Sequence, residues 1–253
     1  MTKTVVISGG TTGMGRATAL ARTARGDRVV VIGSRPGAPY RADLSSIAET
    51  RRVAAEIVRD HPVVDALLLF ANRIYPRRTP TPEGLESTFA LYYLSRYLLA
   101  ELLAPQLEAA GNPVIVNVSG TGTTAGRIIW DDPQFTTTRY GAIKAQLQAG
   151  RANDLLGAAY AGPARYVLYH PGFTRSGASP NPVLGAAIRA LGLVAARPVE
   201  ASVRPVVGWV DHPPAARLTA VDRGKELPLT YPTLDPGNAE RLRVYTEGLL
   251  TPG

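Results

Sequence analysis

The sequence has no cysteine, so disulfides, a thiolate nucleophile and cysteine metal ligands are all excluded. That fits a reducing compartment. No apolar run approaches the roughly 18 residues needed to span a bilayer. Met1 to Ser8 carries one lysine and then a strand-like apolar run, which is not the pattern of a secretory leader. A cytoplasmic protein without a membrane partner is expected. Lysine is scarce as well: Lys3, Lys144 and Lys225 are the only three, while the arginines are scattered apart from Arg51-Arg52 and Arg77-Arg78. The net charge of +8 therefore reads as a dispersed basic surface rather than a groove for nucleic acid. His61, His170 and His212 form no i, i+4 pair, so no metal is expected.

What is present is enough for a sizeable core, since 45% of the 253 residues are hydrophobic and 19% charged. Short apolar runs recur at Val5 to Ile7, Val29 to Ile32, Ala66 to Phe70, Val114 to Val118 and Tyr166 to Tyr169, with helical stretches between most of them. That alternation predicts an α/β fold, a single doubly wound parallel sheet with helices on both faces. Ser46-Ile47-Ala48-Glu49 matches a capping box and opens a helix towards His61. A second helix is expected after Pro82, with Leu91, Leu94 and Leu98 on one stripe, and a third from Tyr140 to about Leu156. No linker divides the chain, so residues 1–253 are expected to form one domain, with a core over 1–175. The Pro, Gly and Ala-rich stretch from 176 suits a lid over a cleft, followed by the C-terminal part. One connection is too short. About ten residues separate Ile32 from Asp43, where a parallel crossover usually needs a dozen or more; either its helix is lost or residues are missing there.

Two clusters carry chemistry. Ser8-Gly9-Gly10-Thr11-Thr12-Gly13-Met14-Gly15 follows the first strand and opens a helix, so its backbone can approach a pyrophosphate. This predicts dinucleotide binding by Gly9, Thr11, Thr12, Gly13, Met14 and Gly15. At the end of the second strand, Gly33-Ser34-Arg35 offers no carboxylate for a ribose 2′-hydroxyl; Arg35 suits a 2′-phosphate, with Arg16 near the same helix start, which favours NADP(H). The second cluster is Tyr140 and Lys144, one helical turn apart if both lie on a helix. A nearby ammonium would stabilise phenolate and bring the tyrosine towards a working pKa.

At these residues the chain resembles the short-chain dehydrogenase/reductase family, whose loop reads TGxxxGxG and whose catalytic helix reads YxxxK. The resemblance covers nearly all of Thr4 to Ser176. Glu83 to Leu99 and the tail around Asn238 to Leu249 resemble the retinol-dehydrogenase-like branch. It implies that Tyr140 is the general acid/base and that Lys144 holds the nicotinamide ribose. It also implies adenine contacts from Asp43-Leu44, and nicotinamide contacts from Pro171-Gly172 and Thr174, in a segment like PGxxxT where Ser176 takes the place of the final threonine. A homodimer or homotetramer built on the helices after Pro82 and through Tyr140 follows by the same resemblance.

Three positions depart from the family. Its second, catalytic serine after the fifth strand is Gly120, leaving Ser119, Thr121, Thr123 or Thr124 as stand-ins, with Ser119 the candidate site residue. The helical asparagine of its proton relay is Tyr92. The Asn-Asn-Ala-Gly segment is Leu69-Phe70-Ala71-Asn72, where Ala71 and Asn72 would still face cofactor and Asn72 can take left-handed backbone angles. The expectation is an NADPH-dependent reductase of a carbonyl or conjugated double bond in a small organic molecule. Redirected chemistry (dehydration, isomerisation or cyclisation) is the alternative, and a dinucleotide-sensing regulator a more distant one.

Overall fold

The computed structural model describes residues 2–172 and 198–251. Eight strands form one sheet: β1 (Thr4–Ser8), β2 (Arg28–Gly33), β3 (Tyr40–Arg41), β4 (Ala66–Leu69), β5 (Val114–Val118), β6 (Arg165–His170), β7 (Leu218–Asp222) and β8 (Lys225–Leu227). Their order is β3-β2-β1-β4-β5-β6-β7-β8, with every pairing parallel except β7 with β8. The doubly wound sheet expected from the apolar runs is present.

Both faces of the sheet are buried, which is why its strands read as continuous apolar runs. On β1, Val5 and Ile7 pack with Ala66, Leu68, Val114 and Val116 beneath α1 (Gly13–Thr23) and α7 (Val199–Asp211). Val6 points the other way, with Leu67, Leu69 and Ile115, towards α2 (Ile47–Asp60), α4 (Ser95–Leu102), α6 (Ala142–Ala159) and α8 (Pro236–Leu250). Each fully buried aliphatic side chain here stabilises by about 1.5–3 kcal/mol, so a one-residue slip of β1 would be strongly penalised. The order reverses at β1, placing a crevice beyond the C-terminal ends of β1 and β4, where ligands bind in such sheets.

The short connection has a simple geometric answer. β3 is only two residues long and pairs in parallel with Ile32 and Gly33, so the chain has to retrace about 7 Å and needs no helix. The capping box is half present. The Ser46 hydroxyl accepts from the Glu49 amide, but Glu49 pairs with Arg52, and Glu83 accepts from both the Ser46 hydroxyl and the Ala48 amide.

The helix expected after Pro82 begins at Ser87, where the Glu86 carboxylate accepts from the Thr88 and Phe89 amides. It runs as α3 (Ser87–Phe89), a π-helical segment at Ala90–Leu94, and α4, with the short α5 (Ala104–Glu108) beyond. The tail past residue 198 is framework rather than lid: it supplies β7, β8, α7 and α8, while residues 176–197 lie outside the described residues. α8 also covers the face expected to meet a second subunit. Tyr93 donates to the Thr246 hydroxyl at 2.6 Å, Gln134 donates to the Tyr245 hydroxyl, and the Phe89 and Tyr245 rings meet edge to face. No described helix is long and apolar enough to cross a membrane.

Candidate active site

The glycine loop turns from β1 into α1 with Gly9 at φ +71° and Gly13 at φ +52°. A Cβ on Gly9 would approach the Ala71 backbone to 2.8 Å, and one on Gly15 would overlap the Gly9 carbonyl, so glycine is required at both. Thr12 is the N-cap of α1 yet makes no side-chain cap, and no acidic residue sits in the first turn. The opening amides of an eleven-residue helix are thus left for a pyrophosphate. Met14 and Gly15 are buried beneath the loop, and Thr11 packs over Gly33. Arg16 and Arg35 are exposed, and neither enters an ion pair among the described residues. These residues fit a dinucleotide.

The other expected cofactor contacts ring the same crevice. Leu44 is buried, and Asp43 uses Oδ1 to accept from the Ser45 amide and hydroxyl, holding the turn into α2. Asn72 does not take left-handed angles, since Phe135 and Arg223 are the only non-glycine residues that do among those described; its Oδ1 accepts from Gln146 instead. Pro171 and Gly172, at φ +84°, follow β6, and Thr174 lies outside the described residues.

Tyr140 does not lie on the helix that carries Lys144. Gly141 is the extended N-cap and α6 starts at Ala142, so the expected one-turn stacking of Tyr140 on Lys144 is absent. The two side chains meet a common third group, the Phe135 ring: the Tyr140 ring packs edge-on to it at 5.5 Å, and the Lys144 ammonium stands 5.5 Å from its centroid. Phe135 sits at φ +51°, in a loop organised by Asp132. That carboxylate accepts from the amides of Thr136, Thr137 and Thr138 and from two threonine hydroxyls, which holds it well below the usual carboxylate range against its burial. The Tyr140 hydroxyl donates to the Tyr75 carbonyl at 2.9 Å and lies 3.3 Å from Thr88. Burial raises its pKa; the Thr88 contact opposes this, and the buried Glu86 carboxylate adds to it. The direction is opposite to the depression expected from Lys144, because Lys144 is exposed and turned to Phe135. A phenol of this kind remains protonated, as a donor should, at neutral pH.

Ser119 follows β5 and is buried, with its hydroxyl 3.1 Å from that of Thr121. Tyr92, at the position of the relay asparagine, is buried with its oxygen against the Gly120 amide. One turn on, Arg96 is fully buried and has no carboxylate partner among the described residues. Its guanidinium donates to the carbonyls of Ala71 at 3.0 Å and Val118 at 2.9 Å and to Asn117, and stacks 4.7 Å from the Tyr92 ring. Burial lowers its pKa to about 10. Asn117 in turn donates to Asn153 and to the Tyr166 hydroxyl. Arg96 thus ties the ends of β4 and β5 together where the family's asparagines are lacking, and a lone arginine in an arginine-rich chain gave no sequence signal for it.

No protein-family model matches the chain. It is 31% identical over 266 residues, 95% of its length and 90% of the relative's, to a protein of Streptomyces sp. (strain C5) assigned as the daunorubicin C-13 ketoreductase DnrU. It is 29% identical to Homo sapiens retinol dehydrogenase 13 over 166 residues, 58% of this chain and half of that protein. Among solved structures, the 3-alpha-hydroxysteroid dehydrogenase of Pseudomonas sp. B-0831, complexed with NADH, superposes with a TM-score of 0.68 at 19% identity, covering 88% of this chain and 96% of that one. With the glycine-loop sheet and this likeness across nearly the whole chain, the protein belongs to the retinol-dehydrogenase-like branch of the short-chain dehydrogenase/reductase family.

Proposed function

We propose that this oxidoreductase is an NADPH-dependent reductase of an organic ketone; the name of its Streptomyces relative supports the ketone part, since it calls that protein a ketoreductase. The observation that carries the reading is the uncapped start of α1 under a glycine cradle, with Arg16 and Arg35 exposed beside it. Bound there, the nicotinamide would supply the hydride. The chain's own residues do the rest. Arg35 and Arg16 would hold the 2′-phosphate and Lys144 the ribose, and Tyr140 would give its phenolic proton to the oxygen that gains charge. Ser119 is the hydroxyl that stands in at this oxygen for the one missing at Gly120.

A second reading, redirected chemistry on the same scaffold, draws on Tyr92. Its oxygen is engaged by the Gly120 amide deep in the core, which leaves it poorly placed to pass protons through water as the family asparagine would. The two readings separate in one experiment. Purified protein is given NADPH and a panel of ketones, and both NADPH loss and product mass are followed. Matched loss of NADPH and gain of two hydrogens supports reduction; turnover at constant NADPH overturns it in favour of the second reading.

A further inference from the structure

The Tyr140 hydroxyl touches two oxygens, and a phenol has one proton to give. Its shorter contact, 2.9 Å, is with the Tyr75 carbonyl, which can only accept. That proton is therefore committed to Tyr75, and across the 3.3 Å contact with Thr88 it is Thr88 that donates. The Thr88 hydroxyl has no other hydrogen-bond partner among the described residues.

Thr88 is held firmly in this position. It lies wholly buried in the first turn of α3, where its amide donates to Glu86 Oε1 at 2.8 Å. The Glu86 amide donates to Gln134 Oε1, also at 2.8 Å, and Gln134 directly precedes Phe135, the residue on which the Tyr140 ring packs. One clamp thus sets both ends of the contact.

A phenolate at Tyr140 has little else to hold it. The Tyr75 carbonyl and the buried Glu86 carboxylate both oppose a negative charge on this oxygen. The ionisable groups that bear on the phenol are Glu86, from the N-cap of α3, and Tyr75, from the loop after β4, and neither favours ionisation. Lys144, on α6, is turned to the Phe135 ring. We propose that Thr88 is the hydrogen-bond donor that carries the charge of Tyr140 once Tyr140 has lost its proton. In ketone reduction the carbonyl carbon gains a hydride from NADPH, which leaves as NADP⁺, and the carbonyl oxygen gains the Tyr140 proton. Tyr140 then stays a phenolate, held by Thr88, until solvent returns a proton. This catalytic consequence rests on the ketoreductase reading; the bond from Thr88 to Tyr140 does not.

Thr88→Val provides the test, because it removes the hydroxyl while keeping the shape of the side chain and the amide that Glu86 binds. Cofactor-free protein is labelled with fluorinated tyrosine, whose phenol ionises nearer neutrality, and the Tyr140 resonance is identified by its loss in Tyr140→Phe. Loss of the donor should raise the Tyr140 midpoint by about one pH unit, tenfold in the ionisation constant, and Thr88→Ser should restore it. Thr88→Ala gives the same reading if the valine variant fails to fold. In turnover, Thr88→Val should lower kcat for ketone reduction by about tenfold, with the KM for ketone and the NADPH affinity unchanged. An unchanged midpoint in Thr88→Val, or an unchanged kcat in an enzyme that reduces ketones, overturns the proposal. If the wild type reduces no ketone at all the ketoreductase reading falls, while a raised midpoint restored by Thr88→Ser still upholds the bond from Thr88 to Tyr140.

Discussion

The Tyr140 hydroxyl donates to the backbone carbonyl of Tyr75 at 2.9 Å, which fixes the phenol from outside the helix that carries Lys144. The bond anchors the ring while leaving the oxygen able to accept or exchange a proton. Tyr140→Phe removes only this oxygen, and its ring keeps the edge-on contact with Phe135. Ketone turnover is therefore expected to fall by about 10²–10⁴-fold, with NADPH binding nearly unchanged by calorimetry. Undiminished turnover would remove Tyr140 from the chemistry.

Cofactor choice is read at Arg35. With the guanidinium exposed and no acidic residue beside it at the end of β2, a 2′-phosphate gains a charge-assisted contact that a 2′-hydroxyl does not. Arg35→Asp should cost roughly tenfold to a hundredfold in NADPH affinity and narrow or invert the preference over NADH. Equal calorimetric affinities of the wild type for both cofactors would contradict the assignment.

At Gly120 the backbone leaves room for the missing side chain. A Cβ there meets only the Thr123 hydroxyl, at 3.5 Å, which is ordinary contact, so Gly120→Ser should fold normally. A restored hydroxyl aimed at the substrate oxygen should raise ketone reduction by up to roughly 10²-fold. A lower native rate with an unchanged melting temperature would instead mean that the glycine makes space for substrate.

Because α8 packs on α6 and, through Tyr93 and Thr246, on the π-helical segment, a four-helix contact between subunits through that face would require α8 to leave. Sedimentation at micromolar concentration should give the mass of one chain, 26.9 kDa. A dimer would show that another face assembles.

The sequence was informative where local chemistry decides the structure. Five of the strands follow from apolar runs, and the cofactor loop from glycines that have no steric substitute, as Gly9 and Gly15 show. The Tyr140–Lys144 spacing was legible as a motif but not as a geometry, since the extended Gly141 starts the helix two residues after Tyr140. Phe135 and Asp132, which shape that loop, carry no recognisable spacing. Arg96 was invisible for a related reason. Its role depends on burial against carbonyls distant in the chain, which side-chain periodicity does not encode. Two short strands, β3 and β8, lack the length that would make a run recognisable.

Those two strands close the ends of the sheet, and their brevity has a consequence for handling the protein. An eight-stranded sheet with apolar inner strands invites pairing with another chain wherever a long row of amides and carbonyls lies open. Here the row is two residues long at one margin and three at the other, and the second carries Lys225 and Glu226. Neither margin gives an incoming strand enough register to hold, so concentrated solutions should resist edge-to-edge β-aggregation without any separate guarding element.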